Sequence, residues 1–196
     1  MEKEKEIMRQ CDKEVGELRE LRKGLLRIFC FEGTPRPFLV RLVDVNRERF
    51  KLHFGEISIN EEDLPVPRDA YDENRQQYEA RFFLQALGNL TKNSNHALGI
   101  VDLDLFVPDL NFIFGSAEFG GNTIVALPRL RQSFYDLPDD DGLFFQRTVK
   151  EIFHELGHVL GLRHCRNHCV MRFSNSLMDT DDKPDKYCTA CLDRLE

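Results

Sequence analysis

The 196-residue chain lacks any run approaching the 18 or more consecutive apolar residues of a membrane-spanning helix, which excludes a helical transmembrane protein. It also lacks an excess of basic charge. Its 27 Lys and Arg stand against 34 Asp and Glu, a net charge of -7, which weighs against a nucleic-acid backbone as the main partner. The opening Met-Glu-Lys-Glu-Lys-Glu has no apolar leader, so no secretory route is written there and a cytoplasmic location is expected. No internal repeat or low-complexity tract is present. What remains is 41% hydrophobic content, enough for one good core. The expectation is a soluble monomer without a membrane or nucleic-acid partner.

Against these absences stands one dense stretch. His154, Glu155, His158, Gly161 and His164 fall in the order H-E-x-x-H-x-x-G-x-x-H. Residues four apart lie on one helix face, so His154 and His158 can aim at one cation. Glu155 then sits beside that cation without ligating it. Gly161, three residues past the second histidine, can adopt φ > 0 and turn the chain back, bringing His164 round as a third ligand. Three neutral nitrogens with a fourth position open to water describe a catalytic zinc site, not a closed structural one. A bare H-E-x-x-H arises by chance in roughly one ordinary chain in a few hundred. The added glycine and histidine make coincidence roughly a thousandfold less common.

The third histidine is followed at once by Cys165, then by Cys169, and Cys188-x-x-Cys191 lies near the chain end. Two short cysteine pairs separated by a loop form the ligand pattern of a closed, tetrahedral, structural zinc site. Two disulfides or four core thiols are the alternatives. Disulfides need an oxidising compartment, for which the chain start carries no signal. Cys11 and Cys30 lie far from this cluster and read as ordinary reduced thiols.

Together these residues resemble the archaemetzincin family of metzincin zinc metallopeptidases: His154 through His164, Cys165 directly after, Cys169-Val170-Met171, then Cys188-x-x-Cys191. The first two cysteines here are separated only by Arg166, Asn167 and His168, one residue fewer than is usual in the family. The likeness extends over most of the chain, including Asn111-Phe112-Ile113-Phe114-Gly115, but not to the first 25 or so residues. It implies that His154, His158 and His164 hold the catalytic zinc and that Glu155 is the general base. It also implies that Met171 occupies the tight turn beneath the metal, with Met178 as a rival.

Along the chain, residues 7–25 space Ile7, Cys11, Val15, Leu18 and Leu25 as an amphipathic helix. Strands are expected over 25–31 and 50–59, and Pro65-Val66-Pro67 breaks the chain before a second helix over about 70–90, with Tyr71, Tyr78, Phe82, Ala86 and Leu90 on its core stripe. Residues 97–107, 111–114 and 123–127 read as strands of one sheet. The stretch 123–127, between a glycine pair and Pro128, is expected at the sheet edge, where it could pair with an extended substrate. Asp139-Asp140-Asp141 reads as the N-terminal cap of the motif helix over about 143–161 and less readily as a calcium site.

The expected fold is α/β: one domain over 1–196, with a mixed twisted sheet, backing helices and the zinc helix beneath the sheet. It divides into residues 1–162 and a small four-cysteine subdomain over 163–196. The expected function is hydrolysis of peptide bonds in a peptide or protein substrate, with two zinc ions per chain, one catalytic and one structural. Zinc polarises the scissile carbonyl while Glu155 moves the proton. A zinc hydrolase acting on RNA or another non-peptide substrate, and a non-catalytic zinc module binding a protein or nucleic acid, remain as alternatives.

Overall fold

The computed structural model of the protein describes residues 24–91 and 95–195. The helix expected over 7–25, but for its last two residues, lies outside them, as does Cys11. In chain order the elements are β1 (Leu25–Cys30), α1 (Arg36–Lys51), β2 (Glu56–Ile59), β3 (Tyr71–Asp72), β4 (Gln77–Glu79), α2 (Ala80–Gly88), β5 (His96–Val101), β6 (Leu105–Phe106), β7 (Gly115–Ala117), β8 (Thr123–Ala126), α3 (Asp141–Val159), α4 (Leu177–Asp182) and α5 (Thr189–Leu192). The main sheet runs β2-β1-β5-β8-β7, parallel except for the terminal strand β7, which is antiparallel to β8. A smaller sheet pairs β3, β4 and β6.

Alternation along the central strands explains why the sheet is covered on both faces. Leu26 and Ile28 of β1, Leu98 and Ile100 of β5 and Val125 of β8 join α1 and α3 in one core. Their neighbours Phe29, Ala97, Val101, Ile124 and Ala126 face α2 in the other. Strands buried on two sides must be apolar throughout, as the interior strands of parallel sheets are. Helix α1 is not among the elements expected from the sequence. It opens with proline in its first turn and buries Leu39, Leu42, Val43, Asn46 and Phe50 at helical spacing. Its last turns therefore consume the start of the strand expected over 50–59, leaving only β2.

Two further expectations are corrected. The helix expected over 70–90 is α2 alone, and its buried face is Ala80, Phe83, Leu84 and Leu87, not Phe82, Ala86 and Leu90. Tyr71 and Tyr78 instead face each other across the β3–β4 pair, ring centroids 5.0 Å apart. The stretch 123–127 is not the edge: β8 lies between β5 and β7, and all of its residues are buried. The antiparallel edge is β7, three small residues too short to register as a strand by pattern. No helix among the described residues is long and apolar enough to cross a membrane.

Gly99 in β5 lets α2 approach the sheet. A methyl there would lie 2.7 Å from Ile124 Cδ1 and 3.0 Å from both Leu87 Cδ1 and Phe31 Cε2. Gly99→Ala is expected to destabilise the fold by about 1–3 kcal/mol, as overpacking of a tight core does. Urea denaturation should show a lower midpoint at unchanged slope. An unchanged midpoint would show that this core relaxes freely.

Candidate functional site

Helix α3 carries the motif, and its ends are locally determined. Asp140 caps it, its side chain accepting from the Leu143 N–H at 2.8 Å, so the acidic run serves as a cap. At the other end Gly161 takes φ 95°. The Leu162 N–H donates to the Gly157 carbonyl at 2.8 Å and the Gly161 N–H to that of His158 at 3.0 Å, the paired bonds of a Schellman turn. One side of α3 buries Val149, Ile152, Leu156 and Val159 in the core. The other carries His154, Glu155 and His158 to a cleft of about 250 Å³, lined also by His164 and the three residues of β7.

The turn brings His164 to the two helical histidines, one ring nitrogen of each lying within 4.8 Å of the others. The Nε2 atoms of His154 and His158 are 3.2 Å apart. Ligand nitrogens at about 2.0–2.1 Å around a tetrahedral ion are about 3.3 Å apart, so the pair suits zinc. The tautomers suit it as well. His154 Nδ1 contacts the Val170 carbonyl at 2.8 Å and His158 Nδ1 the Leu162 carbonyl at 2.8 Å. A carbonyl only accepts, so both protons sit on Nδ1 and both Nε2 lone pairs are free. Burial, and the Lys183 ammonium nearby, hold His154 well below the ordinary histidine range. Burial likewise lowers His158 and His164, which keeps all three neutral.

Behind the histidines lies a buried ion pair that nothing in the motif announces. Lys183, almost fully buried, meets Glu151 at 2.9 Å, and Thr180 Oγ1 donates to the same carboxylate at 3.2 Å. The ammonium lies 3.5 Å from His154 Nδ1, whose proton is already given to Val170, so this contact is electrostatic and not a second hydrogen bond. Glu151 precedes Glu155 by one helical turn, a signal readable as two acids on one face. Lys183, in a charged stretch, carried none. Burial pushes the Glu155 carboxyl up to about 8, with Glu151 adding to the shift and Lys183 opposing it.

Two glycines fit the frame to this site. A Cβ on Gly115 of β7 would meet Glu155 Cγ at 2.6 Å, so the edge strand passes directly against the carboxylate. A Cβ on Gly157 would meet Met171 Sδ at 2.2 Å. Met171 therefore packs against α3 at Gly157, which lies between His154 and His158, and it is fully buried, whereas Met178 is 76% exposed. Of the two rival methionines, Met171 is the one that lies against the motif helix.

The four cysteines also converge. Cys165 and Cys188 Sγ are 3.7 Å apart, as are Cys169 and Cys191 Sγ, and all four sulfurs lie within 4.8 Å of one another. All are free thiols, as is the buried Cys30. Sulfurs at about 2.3 Å around a tetrahedral ion are about 3.8 Å apart, so the cluster fits zinc even with the shortened spacing between Cys165 and Cys169. The Asn167 side-chain amide near its sulfur holds the Cys188 thiol down to about 6, while burial raises Cys169 and Cys191.

The same frame recurs in known proteins. The model of peptidase family M54 matches residues 39–196. The chain is 42% identical over 161 residues to the archaemetzincin of Methanocaldococcus jannaschii, covering 78% of this chain and 88% of that one. It is 50% identical over 131 residues to that of Pyrococcus horikoshii, covering 65% and 70%. The crystal structure of the Methanopyrus kandleri archaemetzincin superposes with a TM-score of 0.74 at 34% identity, over 89% of this chain and 94% of that one. The Archaeoglobus fulgidus archaemetzincin, complexed with malonate, gives 0.73 at 30%, over 87% and 99%. Agreement of this extent in sequence and in three dimensions has one meaning: the chain belongs to peptidase family M54, the archaemetzincins, and is a zinc metallopeptidase.

Proposed function

We propose that His154, His158 and His164 hold the catalytic zinc and that Cys165, Cys169, Cys188 and Cys191 hold a second, structural one. The observation that carries this reading is the spacing of the donors: 3.2 Å between imidazole nitrogens and 3.7 Å between paired sulfurs. The histidines leave a fourth position open to the cleft, whereas the cysteines complete their set. His154, His158 and His164 would hold the zinc, which when bound would supply Lewis-acid activation of the substrate carbonyl and of the attacking water. Glu155 is the general base. It accepts the proton of the attacking water and returns it to the amine as the peptide bond breaks.

The peptide or protein substrate binds extended against β7, where Gly115 leaves room for both the chain and Glu155. This replaces 123–127 as the pairing strand. Val107, Leu110, Phe112 and Phe173 make much of the cleft wall apolar, which suits a hydrophobic substrate side chain. Residues 163–196 act as a clamp tied to the catalytic helix. Cys169 is followed by Val170, whose carbonyl fixes the His154 tautomer, and the Cys165 N–H donates to the Met171 carbonyl at 2.9 Å.

Glu155→Gln is expected to lower kcat/KM on a reporter peptide at least about 100-fold, the lower end for loss of a general base. Native mass spectrometry of that variant should still find two zinc ions. Metal loss, or near-normal turnover, contradicts the role given to Glu155.

Replacing Cys188 and Cys191 together by serine removes half of the structural ligands and touches no residue of the cleft. Freed of its metal, the 165–171 segment should let the Val170 carbonyl shift from His154, weakening catalytic zinc affinity or activity by about 10- to 100-fold. Chelator competition, with far-UV circular dichroism as the check on folding, measures this. Wild-type affinity and turnover in a folded double variant would reduce the cysteine cluster to an independent tail clamp.

A further inference from the structure

We propose that the Ser174 hydroxyl is a substrate-binding group that hydrogen-bonds the main chain of an extended peptide in the cleft, an inference that rests on the peptidase reading above. Among the described residues, Ser174 Oγ is the one buried side-chain oxygen or nitrogen of a non-exposed residue that has no hydrogen-bond partner. It lines the cleft together with Gly115, Glu155 and the three histidines. Buried polar groups in folded proteins are almost always satisfied, and the exceptions call for a reason.

The surrounding loop does not need this hydroxyl. Two residues on, Ser176 does the structural work: its Oγ donates to the Asp179 carboxylate at 2.8 Å and accepts from the Asp179 N–H at 3.3 Å, capping α4. The Asn175 N–H donates to the same carboxylate at 3.1 Å. Helix α4 is in turn held to α3, through Thr180 Oγ1 to Glu151 at 3.2 Å and the two bonds from Arg147 to Asp181 at 2.7 and 2.6 Å. Hydrogen bonds therefore fix the backbone that follows Ser174, and its buried hydroxyl sits within a wall held in place, as a preorganised binding group requires.

The chemistry of the expected partner follows from the cleft. An extended peptide has N–H and C=O groups along both edges, and pairing with β7 satisfies only one of them. A peptide group on the other edge meets the part of the cleft wall formed by Phe112, Phe114 and Phe173, where an unmet bond is costly. A serine hydroxyl both donates and accepts, so it can serve either an N–H or a carbonyl.

The test compares Ser174→Ala with Ser176→Ala in the zinc-loaded protein. Ser174→Ala should lower kcat/KM by on the order of 10-fold, the scale of one hydrogen bond, with Tm unchanged or raised and both zinc ions retained. Ser176→Ala should instead lower Tm by about 2–4 °C through loss of the cap. A series of peptides each carrying one backbone ester identifies the contact: wild type should lose rate at one register where Ser174→Ala is indifferent to the ester. A wild-type rate in Ser174→Ala, or a Tm drop like that of Ser176→Ala, overturns the inference while leaving the peptidase reading intact. A zinc-loaded wild type that cleaves no peptide removes that reading and this inference with it.

Discussion

The hydrogen bond from His154 Nδ1 to the Val170 carbonyl, at 2.8 Å, is the contact on which the rest of the site depends. It commits the ring proton to Nδ1, so Nε2 faces the cleft as a lone pair and meets His158 Nε2 at 3.2 Å. It also joins two parts of the chain that no helix or strand connects. Val170 stands between Cys169, whose sulfur belongs to the cysteine cluster, and Met171, whose sulfur packs against Gly157. A displacement of any one of these three residues moves the acceptor of the His154 bond. Burial of the ring, with Lys183 held beside it by Glu151, disfavours a second proton on His154.

The sheet supplies the opposite wall of this arrangement through a constraint of size. Beside α3 the edge strand must pass close enough to Glu155 that only glycine fits at position 115. Burial of the carboxylate, and with it the rise of its pKa to about 8, follows from that close passage. The same economy of volume recurs at Gly99, where α2 reaches the far face of the sheet, and at Gly157, where Met171 reaches the helix. Three small residues thus set the distances between layers that larger core side chains fill.

How much of this was legible in the sequence depends on whether a residue's role is set by near or distant neighbours. The histidines, Glu155 and Gly161 were legible because helix periodicity and one turn fix their mutual placement within a single segment. The cysteines were legible by spacing, and their convergence survived the loss of a residue between Cys165 and Cys169. Strands β1 and β8 match apolar runs, but the run over 123–127, expected at the edge, lies inside the sheet, since an isolated run does not state which strands flank it. Tyr71 and Tyr78 sit at helical spacing yet pair across a hairpin, a tertiary choice that pattern alone misassigns. Helix α1 carries a helical period in Leu39, Leu42, Val43, Asn46 and Phe50, the last of which also opens the alternation over 50–59. Lys183 and Ser174 gave no local signal at all, because their significance comes from what folds against them.

The tautomer of His154 is the most direct measure of whether the Val170 carbonyl organises the site. Long-range ¹H–¹⁵N NMR correlation on the zinc-loaded protein assigns which ring nitrogen carries the proton. The expected result is a protonated Nδ1 and a metal-bound Nε2 for both His154 and His158, with the His154 Nδ1 proton shifted downfield by its bond to Val170. A proton on His154 Nε2, or a ring that exchanges between tautomers in the loaded protein, would contradict it.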